Sequence, residues 1–159
     1  MSDIRLESFH YSELLGQPLE WTLDGLCLGQ LNLLVGKNAT GKSRTLNVIG
    51  CLARVLSNQQ KELAAGNFDA TFRVDGGTLR YILEVDGEKV LKEQVFVGDE
   101  AKAKLDRTES SLSIFMEKKG EFFDFEPAAT EISAVARKDV RQHSFLLPLY
   151  DWAVAVRHL

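Results

Sequence analysis

LNLLVGKNATGKS, Leu31 to Ser43, sets an apolar run directly before a glycine-bounded loop that ends in a lysine and a serine. Gly36, Gly41, Lys42 and Ser43 satisfy the pattern G-x-x-x-x-G-K-[ST], which cradles phosphate. Each residue type has a task in that pattern. Glycine lets the main chain turn sharply and approach an anion. The amides from Asn38 to Ser43 are expected to point into one concavity at the positive end of a helix. Lys42 is expected to reach the β- and γ-phosphates of a nucleoside triphosphate, and the Ser43 hydroxyl to hold Mg²⁺. The candidate nucleotide-binding residues are therefore Gly36, Lys37, Asn38, Ala39, Thr40, Gly41, Lys42, Ser43 and Arg44, with Ser43 as the metal ligand and ATP with Mg²⁺ as the ligands implied.

The flanks agree with such a loop. Leu31-Asn32-Leu33-Leu34-Val35 reads as a short buried strand, and Leu46, Ile49, Ala53 and Leu56 carry a helical period after it. A helix is predicted from Lys42 to about Ala65, with Gly66 as its C-cap. Its apolar positions, Leu63 included, are expected inward, and Asn58, Gln59, Lys61 and Glu62 outward.

IRLESFHY near the N-terminus, then PLEWTL, then LNLLVGKNATGKSRTL together resemble the opening of the ATPase heads shared by RecF, the structural-maintenance-of-chromosomes proteins and OLD-type nucleases, within the ABC superfamily. Asn38 stands where those loops carry G-x-N. Ala39 replaces the glycine usual at the next position, and Arg44 the usual threonine. The resemblance covers residues 1 to about 65. It implies an α/β P-loop NTPase fold, an ABC-ATPase-like N-terminal lobe with a mostly antiparallel sheet beside the P-loop strand and helix. ATP binding is the implied activity, with hydrolysis requiring a C-terminal lobe and a second copy of the head. In such heads aromatic residues of the sheet sometimes stack on the base, which makes Phe9, Tyr11 and Trp21 candidates, although core filling is the better account of them.

Composition sets bounds on partners and location. A chain of 159 residues suffices for one domain with a real core. We expect a single ATP-binding unit with a loop-bearing part at 1–66, a sheet at 67–126 and a helical end at 127–159. No apolar run approaches membrane-spanning length and no secretory signal opens the chain, so a cytoplasmic protein is expected. Cys27 and Cys51 form no disulfide framework, and His10, His143 and His158 are too scattered for a metal motif. Nineteen basic against 23 acidic residues give a net charge of −4, a poor footprint for a polyanion. Lys102 with Lys104, Lys118 with Lys119, and Arg137, Lys138 and Arg141 are the local basic groups from which a nucleic-acid path could be built.

Ile4 to Phe9 and Leu19 to Leu23 read as paired strands, with a turn from Asp24 to Gln30. Period-two segments follow at Phe68 to Val74, Leu79 to Val85 and Val90 to Val97, with turns at Gly76-Gly77 and Asp86-Gly87. Leu112 to Met116 and Glu121 to Phe125 make a further hairpin. Ala128 to Arg141 is expected as a helix, and another is expected to start near Pro148.

Catalytic groups are harder to find. The family's apolar strand ending in Asp-Glu has its nearest match at Val95-Phe96-Val97-Gly98-Asp99-Glu100, which is short and crowded by charge. Gln94 and Gln142 are weak candidates for the sensing glutamine, and no L-S-G-G signature occurs. The catalytic residues thus stay unassigned, and ATP hydrolysis is expected only with motifs supplied from a further lobe. Two other readings compete. A self-contained kinase or GTPase is disfavoured because neither N-K-x-D nor D-x-x-G occurs, and a non-enzymatic scaffold would use the final helix as an assembly surface.

Overall fold

Hairpins dominate the chain. The computed structural model describes residues 3–60 and 65–156. Its strands are β1 (Arg5–Glu13), β2 (Trp21–Cys27), β3 (Gly66–Val74), β4 (Gly77–Asp86), β5 (Lys89–Val97), β6 (Leu105–Thr108), β7 (Leu112–Met116) and β8 (Glu121–Phe125). The helices are α1 (Lys42–Leu56), α2 (Ser133–Ala136) and α3 (Leu147–Ala155), the last preceded by a 3-10 turn at Ser144–Leu146. The strands form one sheet in the order β2-β1-β3-β4-β5-β6-β7-β8, and every pairing is antiparallel.

That sheet overturns the expected α/β P-loop NTPase fold, which rests on a parallel-dominated sheet. Leu31 to Val35 is the point of failure. Among the described residues it joins none of the ladders, and Leu31, Leu33 and Val35 are 95%, 84% and 79% exposed. A strand exists only where a neighbour takes up its amides and carbonyls, and an apolar run alone supplies no neighbour.

Alternation puts one face of the sheet in the core. Phe68, Ala70 and Phe72 on β3 and Leu79, Tyr81, Leu83 and Val85 on β4 are buried, while Asp69, Arg80 and Glu84 between them point to the other face. On that polar face Arg80 grips Asp69 through two bonds of 2.9 and 2.6 Å, and Lys92 lies 3.7 Å from Glu84. The apolar face is covered by α1, through Leu52, Ala53, Val55 and Leu56, and by α3, through Leu149, Trp152 and Ala153. Trp152 meets Phe72 edge-on at 4.9 Å, so the final helix is core rather than an assembly surface.

Several boundaries differ from the sequence reading. α1 ends at Leu56 because Asn58 takes a left-handed conformation, φ +61°, and the amides of Gln59 and Gln60 turn back onto the Arg54 carbonyl at 2.8 and 3.1 Å. Gly66 opens β3 instead of capping the helix, and Lys61, Glu62 and Leu63 lie outside the described residues. Leu46, expected inward, is 48% exposed, and Thr45 occupies the buried position next to it. Asp24 to Cys27 continue β2 rather than turning, with Gly25 at φ +69° opposite a register shift in β1. β6 was unforeseen, and the helix expected over Ala128 to Arg141 shrinks to α2.

The reason for that shrinkage is a buried polar knot. Glu93 on β5 is fully buried and accepts hydrogen bonds from the Ser133 amide at 2.7 Å, the Ala134 amide at 2.9 Å and the Tyr81 hydroxyl at 2.9 Å. Arg107 on β6, equally buried, sits 3.9 Å from that carboxylate and donates to the Ala128 carbonyl at 2.6 Å. Burial pushes the Glu93 carboxyl up and the Arg107 guanidinium down, each opposed by the other. The pair ties the 128–134 backbone to the sheet in a shape that a long helix would break. Glu93→Ala is expected to cost about 3–5 kcal/mol in urea unfolding, because it strands a buried cation, and adding Arg107→Met is expected to recover part of that loss.

Candidate functional site

The loop from Gly36 to Gly41 leads into the N-terminus of α1, and its shape follows from three contacts. The Lys42 ammonium donates to the carbonyls of Gly36 at 2.6 Å and Lys37 at 2.7 Å. Thr40 Oγ1 donates to the same Lys37 carbonyl at 2.8 Å. A side chain on Gly36 would sit 2.7 Å from that threonine oxygen, so glycine is what permits the closure. Ala39 and Gly41 both adopt left-handed backbone, φ +62° and +88°. Ala39 therefore occupies a conformation that glycine takes at less cost.

Two ends of the cup differ in chemistry. At the helix start the amides of Lys42, Ser43 and Arg44 have no carbonyl one turn earlier within the helix to receive them, and the macrodipole adds positive potential. Thr45 begins the helical ladder by donating to the Gly41 carbonyl at 2.8 Å. Asn38, Ala39, Thr40, Gly41, Lys42, Ser43, Arg44 and Trp21 line one open cavity of about 500 Å³. Gly36 and Lys37 contribute the carbonyls that hold the ammonium rather than the cavity wall.

Trp21 closes the side of the cavity that faces the sheet. It begins β2 and pairs in register with Glu13, the last residue of β1. Its ring lies 5.8 Å from that of Tyr11, and the Arg44 guanidinium stacks over it with Cζ 4.6 Å from the centroid. Arg44 is also ion-paired with Glu13 Oε1, while the Tyr11 hydroxyl donates to Glu13 Oε2 at 2.7 Å. Burial, together with Cys51 nearby, raises the Tyr11 hydroxyl above its ordinary range, against the opposing pull of Arg44, so it stays a donor. Of the three candidate aromatics, Phe9 and Tyr11 are buried core and Trp21 alone lines the cavity.

Other sequence candidates are not brought here. Asp99 and Glu100 are exposed after β5, with Glu100 3.5 Å from Lys104. Gln94 is bonded to Asp106 on the polar face of the sheet at 2.9 Å, and the Gln142 amide to Asp139 at 2.8 Å. None of the four lines the cavity. Among the described residues no cluster of three or more His, Cys, Asp or Glu suits a metal ion. A Mg²⁺ carried by phosphates needs no such cluster, since it keeps several waters and takes few protein ligands, and the exposed Ser43 hydroxyl is free to be one. His10 is bonded to Asp24 at 3.0 Å and His143 to the Arg137 carbonyl at 2.8 Å, while His158 lies outside the described residues.

Five of the seven basic residues named above stand over the chain's own rings. Lys102 lies 3.6 Å from the Phe122 centroid, Lys104 and Lys119 each 4.8 Å from Phe115 and Phe123, and Arg137 and Lys138 over Phe125 and Tyr150. Acidic side chains are interleaved with them, as Glu100 beside Lys104 and Glu131 beside Arg137. Glu13, which holds Arg44 of the cavity wall without lining the cavity itself, is the residue that sequence reasoning missed, because nothing local marks a strand-end glutamate as the partner of an arginine 31 positions later (44 − 13).

The chain matches no protein-family model, no curated protein and no solved structure. Among the described residues no helix is long and apolar enough to cross a membrane.

The geometry makes Gly41 a sensitive position. A methyl group at φ +88° is strained, and 3.6 Å away stands the Trp21 ring. Gly41→Ala is expected to lower stability by about 1–2 kcal/mol, read as a fall of several degrees in the thermal midpoint.

Proposed function

We propose that residues 36–44 bind the polyphosphate of a nucleoside triphosphate, ATP with Mg²⁺, and that hydrolysis depends on a carboxylate supplied from outside this site. One observation carries the reading: the Lys42 ammonium is held by the carbonyls of its own loop at the rim of an open cavity flanked by the start of α1. An ammonium tied in this way keeps its charge at one place, and incoming phosphate oxygens meet a preset cation beside unpaired amides. The Ser43 hydroxyl, next in the chain, would supply a ligand to a phosphate-borne Mg²⁺. Trp21 offers an aromatic face to whatever the polyphosphate carries.

Calorimetric titration with MgATP tests this directly. Lys42→Ala is expected to weaken binding by about tenfold or more, and equal affinity for wild type and variant overturns the reading.

A second reading, assembly with another polypeptide, is favoured by the exposure of Leu31, Leu33 and Val35 in a run that forms no ladder. Leu31, Leu33 and Val35 alternate along the run, so in an extended segment they share one side, and apolar side chains left in water there suit burial against a partner surface. Light scattering with and without MgATP checks whether assembly is tied to nucleotide. Leu33→Lys is expected to shift the protein toward monomer, and an unchanged mass distribution rules this segment out as the contact.

A further inference from the structure

We propose that Arg44 is a second phosphate-binding cation of this site, held in reserve by Glu13, so that a polyphosphate binds by exchanging a carboxylate for a phosphate on one guanidinium. This rests on the nucleotide reading above and extends it to a residue pair outside the loop motif. Arg44 follows Ser43 in the first turn of α1 and lines the same cavity as the loop residues. Its side chain is 46% exposed, whereas that of Glu13 is 19% exposed. The mobile partner is thus the arginine, and the carboxylate is the fixed one.

Each contact in the trio has a consequence. A guanidinium carries five donors in a planar fork, and Glu13 Oε1 takes up only the Nη2 end. Phosphate oxygens are recognised by that same fork, so carboxylate and phosphate compete for it. The Trp21 ring beneath the guanidinium supports its plane without using any donor. Trp21 therefore acts as a surface on which the group pivots from one anion to the other. Release of Arg44 does not strand the carboxylate, because the Tyr11 hydroxyl remains bonded to Glu13 Oε2 at 2.7 Å. In the empty site the Glu13 charge neutralises a cation that would otherwise repel Lys42, which lines the same cavity.

The test uses the full chain and magnesium tripolyphosphate, a probe without a base, followed by calorimetry and by Trp21 fluorescence in a Trp152→Phe background. Arg44→Ala is expected to weaken binding about tenfold, and Glu13→Gln to tighten it about three- to tenfold. In the Arg44→Ala background Glu13→Gln is expected to change nothing further, because Glu13 acts through the arginine. Tripolyphosphate is expected to shift Trp21 emission in the parent and not in Arg44→Ala. Should Arg44→Ala fail to fold, Arg44→Lys keeps the charge without the fork and is expected to lose most of the same affinity. Glu13→Gln tightening binding equally in both backgrounds means through-space repulsion and overturns the exchange. Unchanged or weaker binding in Glu13→Gln alone overturns it as well. If Lys42→Ala weakens binding while the Glu13/Arg44 cycle is flat, only this proposal falls. If the wild type does not bind tripolyphosphate or MgATP, both fall.

Discussion

One apolar face of one antiparallel sheet, covered by two helices, is the constraint on which everything else depends. α1 is anchored there by Leu52, Ala53, Val55 and Leu56. Its C-terminal half is therefore largely buried, while Ser43 and Arg44 at its N-terminal end are exposed. A helix fixed at one end holds the loop before it at a fixed place. The cup around Lys42 is a by-product of hydrophobic packing about three to four turns away.

The two ends of the sheet are stabilised by different means. Near α1 the contact is aromatic and aliphatic, with Phe72 against Trp152 and Tyr11 against Phe68 at 4.9 Å in each case. Toward β6 the apolar core of Leu105, Leu112 and Ile114 is joined by a buried polar pair, Glu93 with Arg107. Such a pair gives little net stability, but Glu93 is met by two amides and a hydroxyl, and losing either charge leaves the other buried without its partner. Its effect is to hold the non-helical backbone from 128 to 132 against the sheet and the first residues of the short α2 on Glu93, and thereby to seat Ala134 in the core.

At the loop, charge is arranged in opposed pairs rather than as one positive patch. Lys42 is satisfied by carbonyls and Arg44 by Glu13 and Trp21. A site built so is stable when empty. Its cations are nevertheless half-exposed or exposed, and their present partners are weaker or equal competitors for them than phosphate.

The residues themselves determined the strands, because side-chain alternation is a local property. Phe68 to Val74, Leu112 to Met116 and Glu121 to Phe125 could be read directly, and so could the glycine positions that let the loop close at Gly36 and Gly41. The end of α1 at Asn58 was equally local, but an asparagine in left-handed backbone is a weaker signal than the glycine eight residues on. What tertiary structure alone decided was pairing. LNLLV has every local mark of a buried strand, yet it stays exposed, since a strand is defined by a neighbour and alternation names none. For the same reason the Glu13–Arg44 and Glu93–Arg107 pairs were invisible in the chain, because charged residues far apart in sequence meet only after the sheet has brought their strands and helices together.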